Sequence, residues 1–125
     1  MDRDEMARLY KEYELTPNDV FKHKHFTIIT RSGIDKIQAK ADVEIQYNLE
    51  YNSADNKCII IQAHATMGDK MIQTFGEASP DNTNNAYPVA MAEKRAMSRA
   101  VLKLTGFYAA GAMGEDESDD FKQVK

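Results

Sequence analysis

Residues 85–114 read NAYPVAMAEKRAMSRAVLKLTGFYAAGAMG, and this stretch predicts one long helix followed by a glycine-rich exit that begins at Gly106. At 100° per residue, Arg95, Arg99 and Lys103 fall within about 80° of one another and form a ladder of cations. The opposite side is expected to pack on a sheet and comprises Ala90, Met97, Ala100, Val101 and Leu104. The helix is therefore predicted to pack with one side and to present positive charge with the other.

The charged side of this helix has two interpretations. Lys94 brings the cations to four, and Glu93 is the single acid between residues 85 and 106. Lys and Arg commonly solvate the outer face of a surface helix, so the ladder is also typical of an ordinary exposed helix. Two features favour a surface that a polyanion or another partner covers. The cations in the second half of the helix have no acidic partners at helical spacing, and the apolar Met91 and Leu102 lie on the charged side.

The residues before the helix predict three antiparallel strands. In DVEIQYNLEY, residues 42–51, apolar and polar side chains alternate, which is typical of a half-buried strand. Residues 57–67 and 70–75 are β-rich, and Gly68-Asp69 between them predicts a two-residue hairpin with glycine at its first position. One helix laid across a curved antiparallel sheet would bury both apolar faces. The predicted fold is α+β: a curved three-to-four-stranded antiparallel sheet (β-β-β-α core), one long helix packed across it, short N-terminal helices and an acidic C-terminal tail.

The N-terminal part of the chain predicts smaller elements. Residues 2–14 predict a short charged helix, and residues 26–30 predict a first strand. Ser32 is the predicted N-cap of a second short helix that runs through Ala41. The apolar side of the first helix comprises Met6, Leu9, Tyr10 and Tyr13.

Length and charge predict one domain with an acidic tail. The chain has 125 residues and a net charge of −4. Residues 22–114 carry eleven cations and nine acids, a net charge of +2, between acidic ends. We therefore expect a domain over residues 1–114 and a solvated, flexible tail over residues 115–125. The polar loop 76–85 is either an ordinary connection or a mobile lip beside the basic helix.

Composition also predicts the compartment. Cys58 is the only cysteine, lies in an apolar run and is expected to be a small buried hydrophobe, so no internal disulfide forms. The N-terminal sequence MDRDEMARLYKEYEL lacks the apolar core of a signal peptide, and no run approaches the ~18 apolar residues of a membrane span. We expect a cytoplasmic protein with no membrane contact.

Catalytic and metal-binding motifs are weak in this sequence. His23 and His25 are the one suggestive ligand pair, and without a third ligand they do not predict a metal site. Pro80-Asp81 and Glu93-Lys94 suggest a nuclease, but restriction-type nucleases place acid and lysine one residue apart on a strand, whereas Glu93 and Lys94 are adjacent on a helix. No glycine-rich phosphate loop and no recognisable Ser-His-Asp or Cys-His set is present. The sequence therefore favours a binding protein over an enzyme.

The order of these elements, with AEKRAMSRAVLKL at residues 92–104 and the Gly106 stop, resembles the phage branch of the Rad-fifty-two type single-strand annealing proteins. The likeness spans residues 27–114. It implies a homo-oligomeric ring or filament, binding of single-stranded DNA in a basic groove, and strand annealing in recombination without ATP or a cofactor. Lys94, Arg95 and Lys103 match positions where the family places cations, and Lys103 corresponds to one that touches the DNA backbone.

The chain also departs from the family pattern. Leu102-Lys103 replaces two adjacent cations, Arg99 occupies a position that is often acidic, and the aromatic-glycine order becomes Gly106-Phe107-Tyr108. The predicted DNA-binding residues comprise Lys94, Arg95, Arg99 and Lys103, with Arg31, Lys36 and Lys40 of the second helix extending the groove or solvating that helix. Tyr47 and Tyr51 are expected either to stack on bases or, more simply, to pack in the core.

Several alternatives stay open at this point. The tail, whose acidic segment ends near Phe121, either solubilises the protein, competes with DNA for the groove, or recruits a replication or recombination protein. The chain as a whole either anneals strands, protects single strands without annealing, inhibits a host DNA-processing or defence protein by its acidity, or cleaves DNA with a metal. Renaturation, binding and cleavage assays distinguish these functions.

Overall fold

The computed structural model describes residues 3–82 and 87–117, and it confirms the α+β class. The helices are α1 (Arg3–Glu12), α2 (Arg31–Ala41) and α3 (Pro88–Thr105), followed late in the chain by a 3-10 turn (Glu115–Glu117). The strands are β1 (Val20–His23), β2 (Phe26–Ile29), β3 (Glu44–Asn52), β4 (Ile59–Met67), β5 (Lys70–Ala78) and β6 (Ala112–Gly114). They form two three-stranded sheets in place of the single sheet expected from the sequence.

The larger sheet has the strand order β3-β4-β5 and is antiparallel throughout. Met67 pairs with Lys70, so Gly68 and Asp69 form the predicted two-residue hairpin loop. Gly68 has φ +63°, and Asp69 is not among the residues with positive φ, which is the pattern of a turn with glycine at its first position. The local turn chemistry therefore predicted this hairpin correctly.

Helix α3 packs on β4 and β5 at very short range. The Thr74 hydroxyl donates to the Ala96 carbonyl at 2.6 Å, and a β-carbon added at Gly76 would overlap the backbone of Ala92 and Ala96. The two backbones can approach this closely because glycine on β5 and alanine on α3 place almost no side-chain volume between them. The helix ends at Gly106, which has φ +94°.

The smaller sheet closes the other side of the core. β1 and β2 form a hairpin, and β6 pairs with β2 in parallel, so the chain after α3 returns to the N-terminal half. The predicted α1 and α2 are confirmed, but Thr30 and not Ser32 caps α2, because its hydroxyl accepts from the Gly33 amide at 3.1 Å. The core is mostly aliphatic and includes Leu9, Ile29, Ile34, Ile37, Val101 and Phe107.

Two predictions of burial are wrong. In β3 the side chains of Tyr47, Leu49 and Tyr51 are exposed by 38%, 60% and 52%, because α3 covers β4 and β5 and leaves the outer half of β3 open. Cys58 is half-buried at the start of β4 and is a free thiol. Within the described residues, none of the helices combines the length and apolar character that a membrane span requires.

Candidate nucleic-acid interface

Arg95 lies inside the protein and not on its surface. The side chain is 1% exposed and donates four hydrogen bonds. Nε donates to the Asp116 carbonyl at 2.6 Å, Nη1 to the Glu77 carbonyl and to Asn82 Oδ1 at 2.9 Å each, and Nη2 to the Asn82 carbonyl at 2.9 Å. The predicted exposed ladder is therefore not formed, since its first member ties together β5, the loop after β5 and the 3-10 turn.

Arg99 is held by two acids. Its guanidinium contacts both carboxylate oxygens of Glu77, at 2.8 and 3.1 Å, and both of Glu117, at 2.8 and 2.7 Å. These bonds, first of all the one to Glu117, raise the pKa of Arg99, and the bond from Arg99 lowers the pKa of Glu77. The charge of Arg99 is largely neutralised within the domain, and 23% of its side chain remains accessible.

Both arginines also cap the edge of β5. Arg99 Nη1 donates to the Phe75 carbonyl at 2.6 Å, and Arg95 donates to the Glu77 carbonyl two residues further along the strand. Unpaired carbonyls on an edge strand invite another strand to add to the sheet. The arginine contacts therefore block strand addition at this end of β5.

The acidic end of the chain begins as folded structure. Glu115–Glu117 forms a 3-10 turn against α3, and Asp116 is buried. Glu115 accepts from the Arg31 backbone amide at 2.5 Å, so acids from this turn meet Arg31 as well as Arg99. The predicted flexible tail over residues 115–125 is wrong for its first three residues, while residues 118–125, with Phe121, lie outside the described residues.

The three cations predicted on α2 are all paired with acids. Lys36 Nζ lies 2.7 Å from the buried Asp19, and Lys40 Nζ lies 2.6 Å from Glu14. Arg31 lies 3.3 Å from Asp35 and 3.8 Å from the Asp116 carboxylate. Hydrogen bonds from Lys36 and Thr16 lower the pKa of Asp19 despite its burial. These pairs tie α2 to its surroundings and balance each of its three cations with an acid.

Lys103 is the cation of the ladder that the structure leaves exposed. Its Nζ lies 5.1 Å from the centre of the Tyr108 ring, a cation–π contact that leaves the ammonium accessible. Lys94, nearly two turns into α3, is half-buried, and no hydrogen bond or ion pair of its side chain is seen among the described residues. Two of the seven predicted cations therefore remain available to an external anion.

Lys103 borders a cleft of about 390 Å³ at the edge of β5, here called the β5-edge cleft. Phe75 and Tyr108 stand in its wall with exposures of 50% and 49%. The complete lining consists of Gln73, Thr74, Phe75, Arg99, Lys103, Tyr108, Met113 and Glu117. A lysine beside two accessible aromatic rings is the combination that single-strand binders use for phosphates and bases.

Sequence reasoning missed both aromatic residues of this cleft. Phe75 is the last residue of the predicted β-rich run 70–75, but β5 continues to Ala78. Phe75 lies on the side of β5 opposite to Thr74 and Gly76, and only the packing of α3 against those two residues shows that this side is uncovered. Tyr108 has no periodic signal because it lies in an irregular turn.

Met91 and Leu102, expected to be covered by a partner, are each 1% exposed. Met91 packs with Ile59, Ile61, Ala78 and Ala92, and Leu102 lies in the main core. Of the predicted packing side, Met97, Ala100 and Val101 are buried, but Ala90 is exposed and Leu104 only half-buried. The helix is rotated relative to the prediction because its row of small residues, and not its largest aliphatics, faces the sheet.

The polar loop contributes to the fold and not to a described surface site. Asn82 Oδ1 accepts from the Ser79 amide at 2.9 Å as well as from Arg95. Residues 83–85 of the predicted lip lie outside the described residues. Across residues 3–82 and 87–117, no group of three or more His, Cys, Asp or Glu side chains could hold a metal ion.

Comparison with known proteins adds no relative. No protein-family model matches the chain, and no curated protein and no solved structure gives a significant match.

Proposed function

We propose that this chain binds single-stranded DNA at the β5-edge cleft and promotes annealing of complementary strands. The observation that carries the proposal is the grouping of Lys103, Phe75 and Tyr108 around one cleft. An ammonium binds phosphate, and exposed aromatic rings stack on bases of any sequence. Binding of this kind needs no ATP, metal or cofactor.

Annealing is supported by the resemblance of residues 92–104 to the helix of the phage-type annealing proteins. We infer that β3, β4, β5 and α3 correspond to the β-β-β-α core with a curved sheet that the resemblance implies. If the phosphates are held and charge repulsion is lowered, two coated strands can test their register, and base pairing supplies the free energy. The protein would act in the cytoplasm, which is the bacterial host cytoplasm if a phage encodes it.

The proposal includes a homo-oligomer, a ring or filament, because one protomer offers few cations. Among the described residues, Lys94 and Lys103 are the predicted cations that are neither buried nor paired with an acid. Each neutralised phosphate of a single strand contributes about −0.7 to the slope of log affinity against log salt. A steep slope therefore requires that many copies bind one strand.

Binding is tested by titrating a labelled oligonucleotide and measuring its fluorescence anisotropy at several salt concentrations. We expect affinity to fall as salt rises, and Lys103→Ala to weaken binding and flatten the slope. Lys11→Ala removes an exposed lysine on α1, away from the cleft, and is the charge-matched control that should bind like the parent. Equal affinity of the parent and Lys103→Ala would exclude the β5-edge cleft.

Annealing is tested by the renaturation rate of two complementary oligonucleotides. An increased rate supports annealing, and unchanged renaturation by a protein that binds both strands identifies a protein that only protects them.

One observation favours a second function. Arg31, Lys36, Lys40 and Arg99 are all paired with acids, and the chain has a net charge of −4, which suits an acidic inhibitor of a host DNA-processing or defence protein. That function predicts capture of a protein and no binding of single-stranded DNA at low salt. The same titration therefore separates the two functions.

A further inference from the structure

The centre of the outward face of the larger sheet is polar, and none of its side chains is buried. Thr74 and Gly76 of β5 point toward α3, so Gln73 and Phe75, which alternate with them, point to the opposite side. The pairing register places residues of β3 and β4 on the same side. Two neighbouring cross-strand rows form this centre, here called the amide face: Gln46, His64 and Gln73, and next to them Asn48, Gln62 and Phe75. The flanking rows contain Met71 on one side and Tyr51 and Ile60 on the other.

Side-chain hydrogen bonds join the two rows. Asn48 Nδ2 donates to Gln62 Oε1 at 3.3 Å, and Gln62 Nε2 donates to Gln73 Oε1 at 3.3 Å. Gln73 Nε2 lies 3.3 Å from His64 Nδ1. A carboxamide has two donor hydrogens and two acceptor lone pairs, so each of these amides keeps capacity for a further partner. The network orders the side chains without exhausting them.

The charges around this face suit one kind of ligand. The two rows contain no Lys, Arg, Asp or Glu. Each flanking row contains one acid, Glu44 on one side and Glu77 on the other, and Arg99 pairs with Glu77. Gln73 and Phe75 also line the β5-edge cleft, so Lys103 stands at the margin of the face. A ligand that fits has anionic groups along one edge and uncharged, flat, hydrogen-bonding groups beside them.

A single strand of DNA has this arrangement. Its phosphates would follow Lys103, and its bases would turn inward over the sheet. Neighbouring rows are about 7 Å apart, because they are two residues apart along each strand at about 3.4 Å per residue. Asn and Gln amides match the donor and acceptor on the major-groove edge of a base, which leaves its Watson–Crick edge free to pair with a second strand. Phe75, half-exposed at the end of its row, offers a ring for stacking.

We propose that this amide face is the base-contacting surface of the protein, with bases stacking on Phe75 and bonding to Gln62 and Gln73 while Lys103 holds the phosphate chain. The proposal rests on the proposed binding of single-stranded DNA. It assigns the bases to the sheet face and the phosphates to Lys103 in the β5-edge cleft. It differs from phosphate binding alone because it requires the bases.

The test compares an ordinary oligonucleotide with an abasic one of the same length, which keeps the phosphates and lacks the bases. The parent protein should bind the ordinary strand at least about fivefold more tightly, the smallest effect expected for one stacked base. Phe75→Ala should lose at least about fivefold on the ordinary strand and nothing on the abasic strand. Lys103→Ala should weaken both strands by the same factor.

Two further variants make the result specific. Gln62→Ala truncates a half-buried amide in the centre of the network and should reduce preference for the ordinary strand. Met71→Ala truncates another exposed apolar side chain of β5, in the row of Glu44 and Thr66, and should bind both strands like the parent. Unfolding curves of the four variants check that each is folded.

Equal binding of both strands by the parent, with unchanged ratios in the Phe75 and Gln62 variants, would overturn the amide face. In that outcome a retained effect of Lys103→Ala leaves the proposed function standing. Failure of the parent to bind either strand at low salt would overturn both proposals. Binding of another protein through this face would not rescue them.

Discussion

Replacement of Arg95 by alanine tests the reassignment of this residue from the DNA surface to the interior. The side chain is 1% exposed and makes four hydrogen bonds of 2.6–2.9 Å. Its acceptors are the carbonyls of Glu77, Asn82 and Asp116 and the Asn82 amide oxygen, so the truncation leaves acceptors from three separate segments without this donor.

The expected cost is large. A hydrogen bond to a charged group contributes about 1.5–3 kcal/mol net, and such bonds on one side chain do not add fully. Each buried acceptor left without a donor costs about 1–3 kcal/mol, and because the four acceptors of Arg95 do not add fully we expect Arg95→Ala to cost about 3–5 kcal/mol. Against a total stability of about 5–15 kcal/mol this is a substantial fraction. At about 4 °C per kcal/mol for a domain of this size, the melting temperature should fall by about 12–20 °C.

Urea unfolding followed by circular dichroism measures this effect. Arg95→Lys keeps the charge but lacks the planar fork that reaches all three segments, so it should also be destabilised. Lys103→Ala removes only an exposed cation–π contact and should change stability by about 1 kcal/mol or less. An unfolding midpoint for Arg95→Ala equal to that of the parent would refute the structural role of Arg95.

This prediction changes how binding experiments on the helix are designed. A combined replacement of Arg95, Arg99 and Lys103 would unfold or loosen the domain, and lost DNA binding would then say nothing about contacts. Lys103→Ala alone separates binding from stability, because Lys103 is exposed.

Three further predictions follow from other contacts. Gly76→Ala should destabilise the fold by about 1–3 kcal/mol, because the added methyl overlaps the backbone of α3; an unchanged melting temperature would contradict the close packing of helix on sheet. Arg99 lowers the pKa of Glu77 below its ordinary value of 4.5, so this pair stabilises the protein above that pH and loses its effect as the pH falls through the folded pKa. Unfolding free energy measured from pH 6 to 3 should therefore fall less steeply for Glu77→Gln, and identical slopes would exclude the pair as a source of acid sensitivity. Glu117→Gln removes one of the two acids on Arg99 and should tighten binding of single-stranded DNA, most clearly at low salt; anisotropy titration showing weaker or equal affinity would mean that Arg99 never meets phosphate.

The parts of the fold that local chemistry dictates were predictable. Gly68 and Asp69 fix the β4–β5 hairpin by turn conformation alone, and the apolar spacing of α1 placed Met6 and Leu9 on its buried side. Strands β1 and β6 were missed because they are short and owe their structure to pairing with β2, which sequence periodicity does not encode.

The orientation of α3 could not be derived from its own pattern. The helical spacing correctly places Arg95 and Arg99 on one side of α3, but a charged row by itself predicts a side that faces solvent. In the structure the 3-10 turn Glu115–Glu117 packs over that row, with the Asp116 carbonyl on Arg95 and the Glu117 carboxylate on Arg99. The sequence does contain a signal for this contact, because the acids of residues 115–117 follow a helix that carries Arg95 and Arg99. The same acids, however, predict a free solvated tail as readily as ion pairs with these arginines.

Ultraviolet crosslinking of the intact protein to a short oligothymidylate, followed by identification of the modified peptides, tests the central claim most directly. The account predicts crosslinks in the peptides that contain Phe75 or Tyr108, and their loss when Phe75→Ala or Lys103→Ala is used. Crosslinks confined to α1 or α2, or an absence of binding at low salt, would contradict it.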